Sequence, residues 1–410
     1  MARLLIIGAG TAGTMIAHHL RRALSDDWSI TIVDRDNAHH YQPGYLFVAM
    51  GTNTAQRVVK PRDRYLPDGV EFIEAQVQRI DAAENLVRLE DGRSLAYDWI
   101  VVASGTTTRP DQVPGMADGP LWQRSIFDFY TLDGAQLLHQ ALERFEGGRI
   151  LVHFCELPIK CPVAPLEFAF LVEDHFRKRR LRHRVDISYV TPLDGAFTKP
   201  VASRELSGLL EDRSIRLVTD FAVESVDNER SMLIGYDGRE LPFDLLVTVP
   251  PNMGQQFVID SGLGDDMGFI PVDKATLRSE TYPNLFAIGD AANLPTSKAG
   301  AVAHFAAELF SDNFVAAVAG RDLPNAFDGH ANCFIESGRG QALLLDFNYD
   351  TEPLTGSYPL AAVGPLRLLG RSRLNHLGKL AFEQLYWRLL LRGKPLPVPT
   401  LMSMTGKKPA

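Results

Sequence analysis

The ten residues HFCELPIKCP, 153–162, put two thiols, a carboxylate and an amine on one turn: Cys155, Glu156, Lys160 and Cys161. A cysteine in such company is either a small buried hydrophobe or a redox group, and its reactivity follows from how easily it loses its proton. Cys161 precedes Pro162, and proline is favoured at the first position of a helix, so Cys161 is expected at the N-cap. Helix N-terminus and neighbouring Lys160 would then favour the thiolate and make Cys161 the reactive thiol. Glu156 would pass a proton or shape the cleft. Cys155, at a strand end, is either a third thiol or a structural residue. The remaining cysteine, Cys333, stands 172 residues beyond Cys161, in GHANCFIESGRGQALLLDFNYD. Alone it is an ordinary cysteine; beside Cys161 it would form a redox-active pair. Three cysteines are too few for a disulfide framework, which argues for a reducing compartment.

These groups need a scaffold, and the chain opens with one. ARLLIIGAGTAGTMIAHHLRRAL reads as strand, glycine turn and helix, and SITIVDRD as a second strand ending in Asp34, 21 residues beyond Gly13. Strand, GxGxxG, helix, strand and acid together form the dinucleotide-binding fingerprint. Gly8 would allow the tight turn, Gly10 the approach of a pyrophosphate, and Gly13 close packing of helix on strand. Asp34 would accept ribose hydroxyls, with Ala12, Arg35 and Val77 counted among the nucleotide's neighbours. Two later segments point to FAD rather than NAD. YDWIVVASGTTTRP is a buried strand entering a small-residue turn at Ala103, Ser104 and Gly105. TYPNLFAIGDAANLPTSKAGAVAHFAAELF gives a strand, Gly289 and Asp290, then a long helix whose N-terminus would face the flavin and stabilise negative charge on it. The three segments resemble the FAD domain of two-dinucleotide-binding flavoproteins.

Between them, residues 116–275 alternate strand and helix again, from GGRILVHF and the PVAPLEFAFLVEDHFRKRR helix to DLLVTVPP, as a second βαβ domain inserted into the first. The expected fold is therefore α/β with two Rossmann-like domains: 1–115 with 276–330 for FAD, and 116–275 without a nucleotide loop. At the turn where a nicotinamide-binding relative needs glycines stands CELPIKCP. Glu156 would repel phosphates, and Pro158 and Pro162 remove N–H donors, so a nicotinamide reductant is not expected. The basic run Arg177, Lys178, Arg179, Arg180, Arg182 and Arg184 suits a helix C-terminus, and no nucleic-acid partner is expected. No metal site is expected either.

The whole pattern resembles the sulfide:quinone oxidoreductases: GAGTAG, HHYQPGYLFVAMG, the IVVASGT turn, PIKC followed by an APLE helix start, LFAIGDAANLPTSKAG, a late cysteine and a basic, apolar tail. The resemblance implies that Cys161 and Cys333 take up sulfide sulfur beside FAD, with Cys333 next to the flavin, and that Lys298 in SKAG lies beside flavin and quinone. Many members carry a further cysteine ahead of PIKC, often linked to FAD; LWQRSIFDFY has none, so covalent attachment is not expected. Type-II NADH:quinone reductases share the fold but need an intact second glycine loop. A flavocytochrome c sulfide dehydrogenase subunit would be exported, whereas MARLLIIGAG enters a strand with no signal peptide ahead of it. A flavin-binding sulfide sensor without turnover is the reading from another class.

The tail differs in charge from the rest. From residue 365 onward nine Lys or Arg face only Glu383, giving +8, while residues 1–364 carry −16, together the net −8. Leu374, Leu377, Ala381, Leu385 and Leu389 recur at helical spacing, with Tyr386 and Trp387 as amphipathic rings. No apolar run is long enough to span a bilayer. Residues 331–410 are therefore read as a redox-cysteine and membrane-anchoring region, attached to the cytoplasmic surface where a membrane quinone can enter. A helix docked on the protein's own core, or on a second copy in a homo-oligomer, is the alternative.

Overall fold

A computed structural model describes residues 2–359, 364–396 and 398–409; Met1, which opens MARLLIIGAG, and residues 360–363, 397 and 410 of the 331–410 region lie outside the described residues. Its first sheet is five-stranded and wholly parallel, in the order Leu285–Ala287, Trp99–Val102, Ala2–Ile7, Trp28–Asp34, Val70–Glu74. Near-continuous apolar runs such as LLII and IVV supply strands buried on both faces, as parallel sheets require. Helix α1, Thr11–Ala23, leaves the first strand directly through the glycine turn.

The second sheet is also five-stranded and parallel, in the order Ile126–Phe127, Leu245–Val249, Gly148–Phe154, Val185–Val190, Arg216–Val218. Helix α2, Ala164–Lys178, follows the PIKC turn, packs on this sheet and buries Leu166, Phe168, Ala169, Phe170, Val172 and Phe176 in the core. The segment IRLVTDFAVESVD supplies two strands: Arg216–Val218 ends the second sheet, and Val223–Asp227 begins a separate antiparallel sheet. An antiparallel pair, Thr106–Thr108 with Asn252–Gly254, ties the two parallel sheets' units together. Helix α3, Gly300–Val318, is apolar nearly all round and buried against α1 and Phe286.

After α3 the chain builds a third sheet that periodicity did not announce. Its order is Ala331–Glu336, Ala342–Phe347, Leu366–Leu368, Thr355–Tyr358, Lys407–Lys408. Helix α4, Arg373–Arg388, is capped by Ser372, whose hydroxyl accepts the Asn375 N–H at 2.9 Å. Cys333 therefore lies on an edge strand of this sheet rather than on a free loop.

Here the reading of Tyr386 and Trp387 as interfacial rings is corrected: both are 3% exposed. Tyr386 shares hydrogen bonds of 2.7 Å with Thr11, in the first turn of α1, and with His39. Trp387 packs on Tyr65 and His39 and lies under the Lys60 ammonium, 4.2 Å from the ring centre. The opposite stripe of α4 is open: Leu374 is 51% exposed, Leu377 57% and Leu380 47%, with Ala381 and Leu385 on the same side. No described helix is long and apolar enough to cross a membrane.

Candidate functional site

The glycine turn is built as its spacing demands. Gly8 has φ +98°, and a Cβ there would lie 2.5 Å from the Ala103 carbonyl oxygen. A Cβ on Gly13 would meet the Gly8 carbonyl oxygen at 1.8 Å, so only glycine lets α1 start this close to the strand. Gly10 meets nothing within 4 Å: it looks onto open space at the N-terminus of α1, where unpaired N–H groups favour an anion. Asp34 accepts the Ala9 N–H at 2.7 Å and pairs with Arg62 at 2.8 Å through one oxygen. Among the described residues its other oxygen accepts only the Arg35 N–H, at 2.8 Å, and retains acceptor capacity. The Arg35 side chain itself is exposed and pairs with Asp36. Val77 comes near Asp34 because the Ala75 N–H bonds to the Asp34 carbonyl, but its side chain packs into the neighbouring core cluster.

The other two segments converge on this turn. Gly289, with φ +68°, sits so close to Ala12 that a Cβ would lie 3.1 Å from the alanine methyl. Within the Ala103–Gly105 turn and its continuation, the hydroxyls of Ser104 and Thr106 are buried without a partner among the described residues. The Asp290 carboxyl also has no hydrogen-bond partner among the described residues, while burial raises its pKa against the opposing pull of Lys298 and Lys160. Orphaned polar atoms around an open cradle fit an elongated dinucleotide with hydroxyls along its length. Lys298 closes the floor: its ammonium donates to the carbonyls of Asp290 at 2.8 Å and Ala292 at 3.0 Å and lies 3.8 Å from the Phe269 ring centre. Burial lowers its pKa to about 8.

The PIKC turn is pinned to this floor by main-chain bonds. The Cys161 N–H donates to the Lys298 carbonyl at 2.7 Å, and the Lys160 N–H to Asn252 at 3.1 Å. The Cys161 carbonyl accepts from Tyr130 at 3.1 Å and from the Ala164 N–H at 2.8 Å. These bonds hold Cys161 at φ +48°, a left-handed conformation that costs a non-glycine residue roughly 1–3 kcal/mol. Cys161 is thereby fixed two residues before the N-terminus of α3, although it lies 139 positions upstream of Gly300.

Two expectations about this turn are corrected. Cys161 is not the N-cap: α2 starts at Ala164 with Val163 as cap and Pro165 in its first turn, so the second proline of PVAP, not Pro162, begins the helix. Nor is the thiol acidified. Burial, with Glu167 adding to it, pushes the Cys161 pKa up to about 12 against the pull of Lys379. Lys160 does not offset this, because its ammonium is directed to Gln42 at 3.0 Å and over Tyr130.

Cys161 and Cys333 pack against the same core cluster. Burial raises the Cys333 thiol too, with Cys161 the next contributor, and Glu167 and Lys379 act on both thiols. Cys155 is not brought to them. It sits in a different cluster with Met116, Phe221 and Phe243, its sulfur 3.9 Å from the Thr248 hydroxyl and its pKa raised to about 12 by burial. Glu156 is exposed. The residues that sequence reasoning passed over are Glu167 and Lys379. Lys379 on α4 donates to both Glu167 oxygens, at 2.9 and 3.2 Å, and Glu167 is 1% exposed. Glu167 belongs to the APLE helix start and Lys379 to the basic tail; only the fold shows that the two meet. No group of three or more metal-ligating side chains occurs among the described residues.

A family model of the pyridine nucleotide-disulphide oxidoreductases matches residues 2–153. Mitochondrial sulfide:quinone oxidoreductase of Schizosaccharomyces pombe is 28% identical over 95% of this chain and 90% of its own length. The mouse mitochondrial sulfide:quinone oxidoreductase is 26% identical over 95% and 86%. The crystal structure of the sulfide:quinone oxidoreductase of Aquifex aeolicus has the same fold, with a TM-score of 0.82, 20% identity, and coverage of 96% of this chain and 92% of that one. Over nearly its whole length, then, this chain is a relative of the sulfide:quinone oxidoreductases.

Proposed function

We propose that the protein is an FAD-dependent sulfide:quinone oxidoreductase that oxidises sulfide through Cys161 and Cys333. The observation that carries the reading is the pinning of Cys161, in a glycine-free turn, beside the N-terminus of α3, with Cys333 near enough for Cys161 and the Glu167–Lys379 pair to act on its thiol. In the oxidised form the two sulfurs are bridged. Hydrosulfide attacks the bridge; one S–S bond forms as another breaks, leaving a persulfide on one cysteine and a thiolate on the other. Closing the bridge again with the extra sulfur releases one proton and two electrons. When bound, FAD serves as the two-electron acceptor and passes them to quinone. Gly8, Gly10 and Gly13, Asp34, the Ala103–Gly105 turn, Gly289, Asp290 and Lys298 would hold it.

Within that step the chain's own residues have distinct tasks. Tyr130, Lys298 and Ala164 fix the Cys161 backbone, and Lys379 stabilises negative charge on either sulfur as it appears. Burial favours the neutral form of both reduced thiols, Cys333 buried and Cys161 half-buried. The open leucine stripe of α4, in a strongly basic tail, supports peripheral attachment to an anionic membrane surface from which quinone enters.

The test is an anaerobic titration of the purified yellow protein, first with sulfide and then with NADH. Bleaching of the visible band by sulfide at micromolar levels, restored by a soluble quinone and lost in Cys161→Ser, is expected. Bleaching by NADH alone, or full sulfide-dependent quinone reduction by Cys161→Ser, would sink the reading.

A further inference from the structure

Each hydrosulfide consumed at the bridge releases one proton, and of the two thiols Cys333 is buried while Cys161 is half-buried. The Ala331–Glu336 strand shows where that proton can leave. It is the edge strand of the third sheet, paired only on one side with Ala342–Phe347. Side chains alternate across a strand, so Cys333 and Ile335 face one way and Phe334 and Glu336 the other. The Glu167–Lys379 pair sits on the open edge between these two faces. Lys379 donates to the Phe334 carbonyl at 3.3 Å, and Glu167 accepts the Glu336 N–H at 2.8 Å. One pair therefore satisfies the edge's outward main-chain groups while acting on both thiols from one side and on Glu336 from the other.

Glu336 does not end in the core. It is 1% exposed, but both its oxygens lie 2.9 Å from Nδ1 of His376, one turn before Lys379 on α4. Nδ1 must carry the proton to donate to a carboxylate, which leaves Nε2 free to accept another. Nε2 has no protein partner among the described residues, and the His376 side chain is 28% exposed. The charge count of the cluster is uneven. Glu167 and Glu336 contribute two negative charges, Lys379 one positive, and His376 none while neutral. One added proton neutralises the buried set, and burial raises the pKa of both carboxyls, which favours holding it.

We infer that Glu336 and His376 form the proton port of the sulfur site, exchanging with solvent the proton that sulfide oxidation releases beside Glu167. The inference rests on the sulfide-oxidising reading above. The charged groups acting on Glu336 are Glu167 of α2 and Lys379 and His376 of α4. Of the other elements packed on α4, Ala342–Phe347 contributes Asp346, which is opposite Asn332 at the far end of the pair and bound to His330 and Lys407. Leu366–Leu368 contributes Arg367, whose side chain folds against Gly370. The port lies outside the dinucleotide cradle, so its loss should leave flavin content unchanged.

The experiment is stopped-flow bleaching of the flavoprotein by sulfide between pH 6 and 9, in H2O and D2O, for the wild type, His376→Gln and Glu336→Gln. His376→Gln is expected to slow bleaching about 100-fold, the low end for loss of a proton-transfer group. It should also enlarge the solvent isotope effect, and added imidazole should restore much of the rate because the position is open to water. Glu336→Gln should slow bleaching without imidazole rescue. A His376→Gln protein with wild-type rate and pH profile would overturn the port, as would slowing that imidazole leaves untouched with an unchanged isotope effect. If His376→Gln fails to fold, Glu336→Gln decides by the same rate and isotope criteria. A wild type that sulfide never bleaches would remove the sulfide reading, and the port with it; bleaching unaffected by either variant removes the port alone.

Discussion

The structure reverses the expected chemistry of Cys161 in its resting state, and the reversal has a size. A helix N-terminus beside a lysine would make the thiol acidic. Instead the pKa rises from the ordinary 9.0 to about 12 because the sulfur is enclosed and Glu167 stands near it. At pH 8 an ordinary thiol is about one-tenth thiolate; at a pKa of about 12 the fraction is about one in ten thousand, a 1000-fold drop. Access also slows alkylation, so the rate at one pH is not diagnostic, whereas its dependence on pH is. With the pair reduced, iodoacetamide labelling of Cys161, followed by mass spectrometry, should climb about tenfold per pH unit from 7 to 10 without a plateau, since only the thiolate reacts. Lys379→Met should lower every point of that curve. A plateau at or below pH 8 would refute the argument: it would mean that helix and cation outweigh burial and that Cys161 rests as a thiolate.

Three further outcomes follow from the same geometry. Gly10→Ala, at a position with φ −76° and an empty surround, should leave the melting temperature of the apoprotein unchanged and abolish flavin retention, whereas Gly13→Ala should unfold it; flavin absorbance and calorimetry separate the two. Replacing Leu374, Leu377 and Leu380 together by Gln should cost little stability, about 0.5 kcal/mol or less per exposed site, and should abolish co-sedimentation with anionic vesicles while sparing reduction of a soluble quinone. His153 is fully buried, and burial lowers its pKa from 6.5 to about 3. The unfolded chain therefore binds more protons between those limits, and stability falls as pH drops from 6.5 toward 3. This one residue removes about 2 kcal/mol by pH 5, so His153→Phe should flatten the urea midpoint between pH 7 and 5; an unchanged slope would contradict it.

Legibility in the sequence followed the strictness of each local demand. Gly8 and Gly13 were readable because their Cβ atoms would collide with main chain at 2.5 Å or less, a constraint no other residue meets. The absence of glycine from the CELPIKCP turn was equally plain, since composition alone shows it. What stayed hidden depends on contacts between distant segments. PVAP holds two prolines, either of which suits a helix start, and only packing of α2 selects the second. Tyr386 and Trp387 look amphipathic in isolation, yet the face of α4 that holds them is chosen by His39, Tyr65 and Thr11, more than 300 positions upstream. Lys379 was one charge of a basic tail until Glu167 gave it a partner 212 positions away. Cys333 carried no sign that its strand was a sheet edge.

These long-range contacts meet on one helix. Through Tyr386, α4 holds Thr11 in the first turn of α1, the helix after the glycine turn; through Lys379 it reaches Glu167, beside both thiols; through His376 it reaches Glu336. Its remaining face carries the leucines proposed to meet the membrane. A helix seated on lipid by that face cannot shift without moving the cradle bond and the sulfur-site cation together, because both contacts arise from residues within seven positions of each other on a rigid rod. Attachment would thus do more than bring the enzyme to its quinone. It would hold the two ends of the electron path, the thiols and the nucleotide, in one fixed relation, and a detached α4 would loosen both at once.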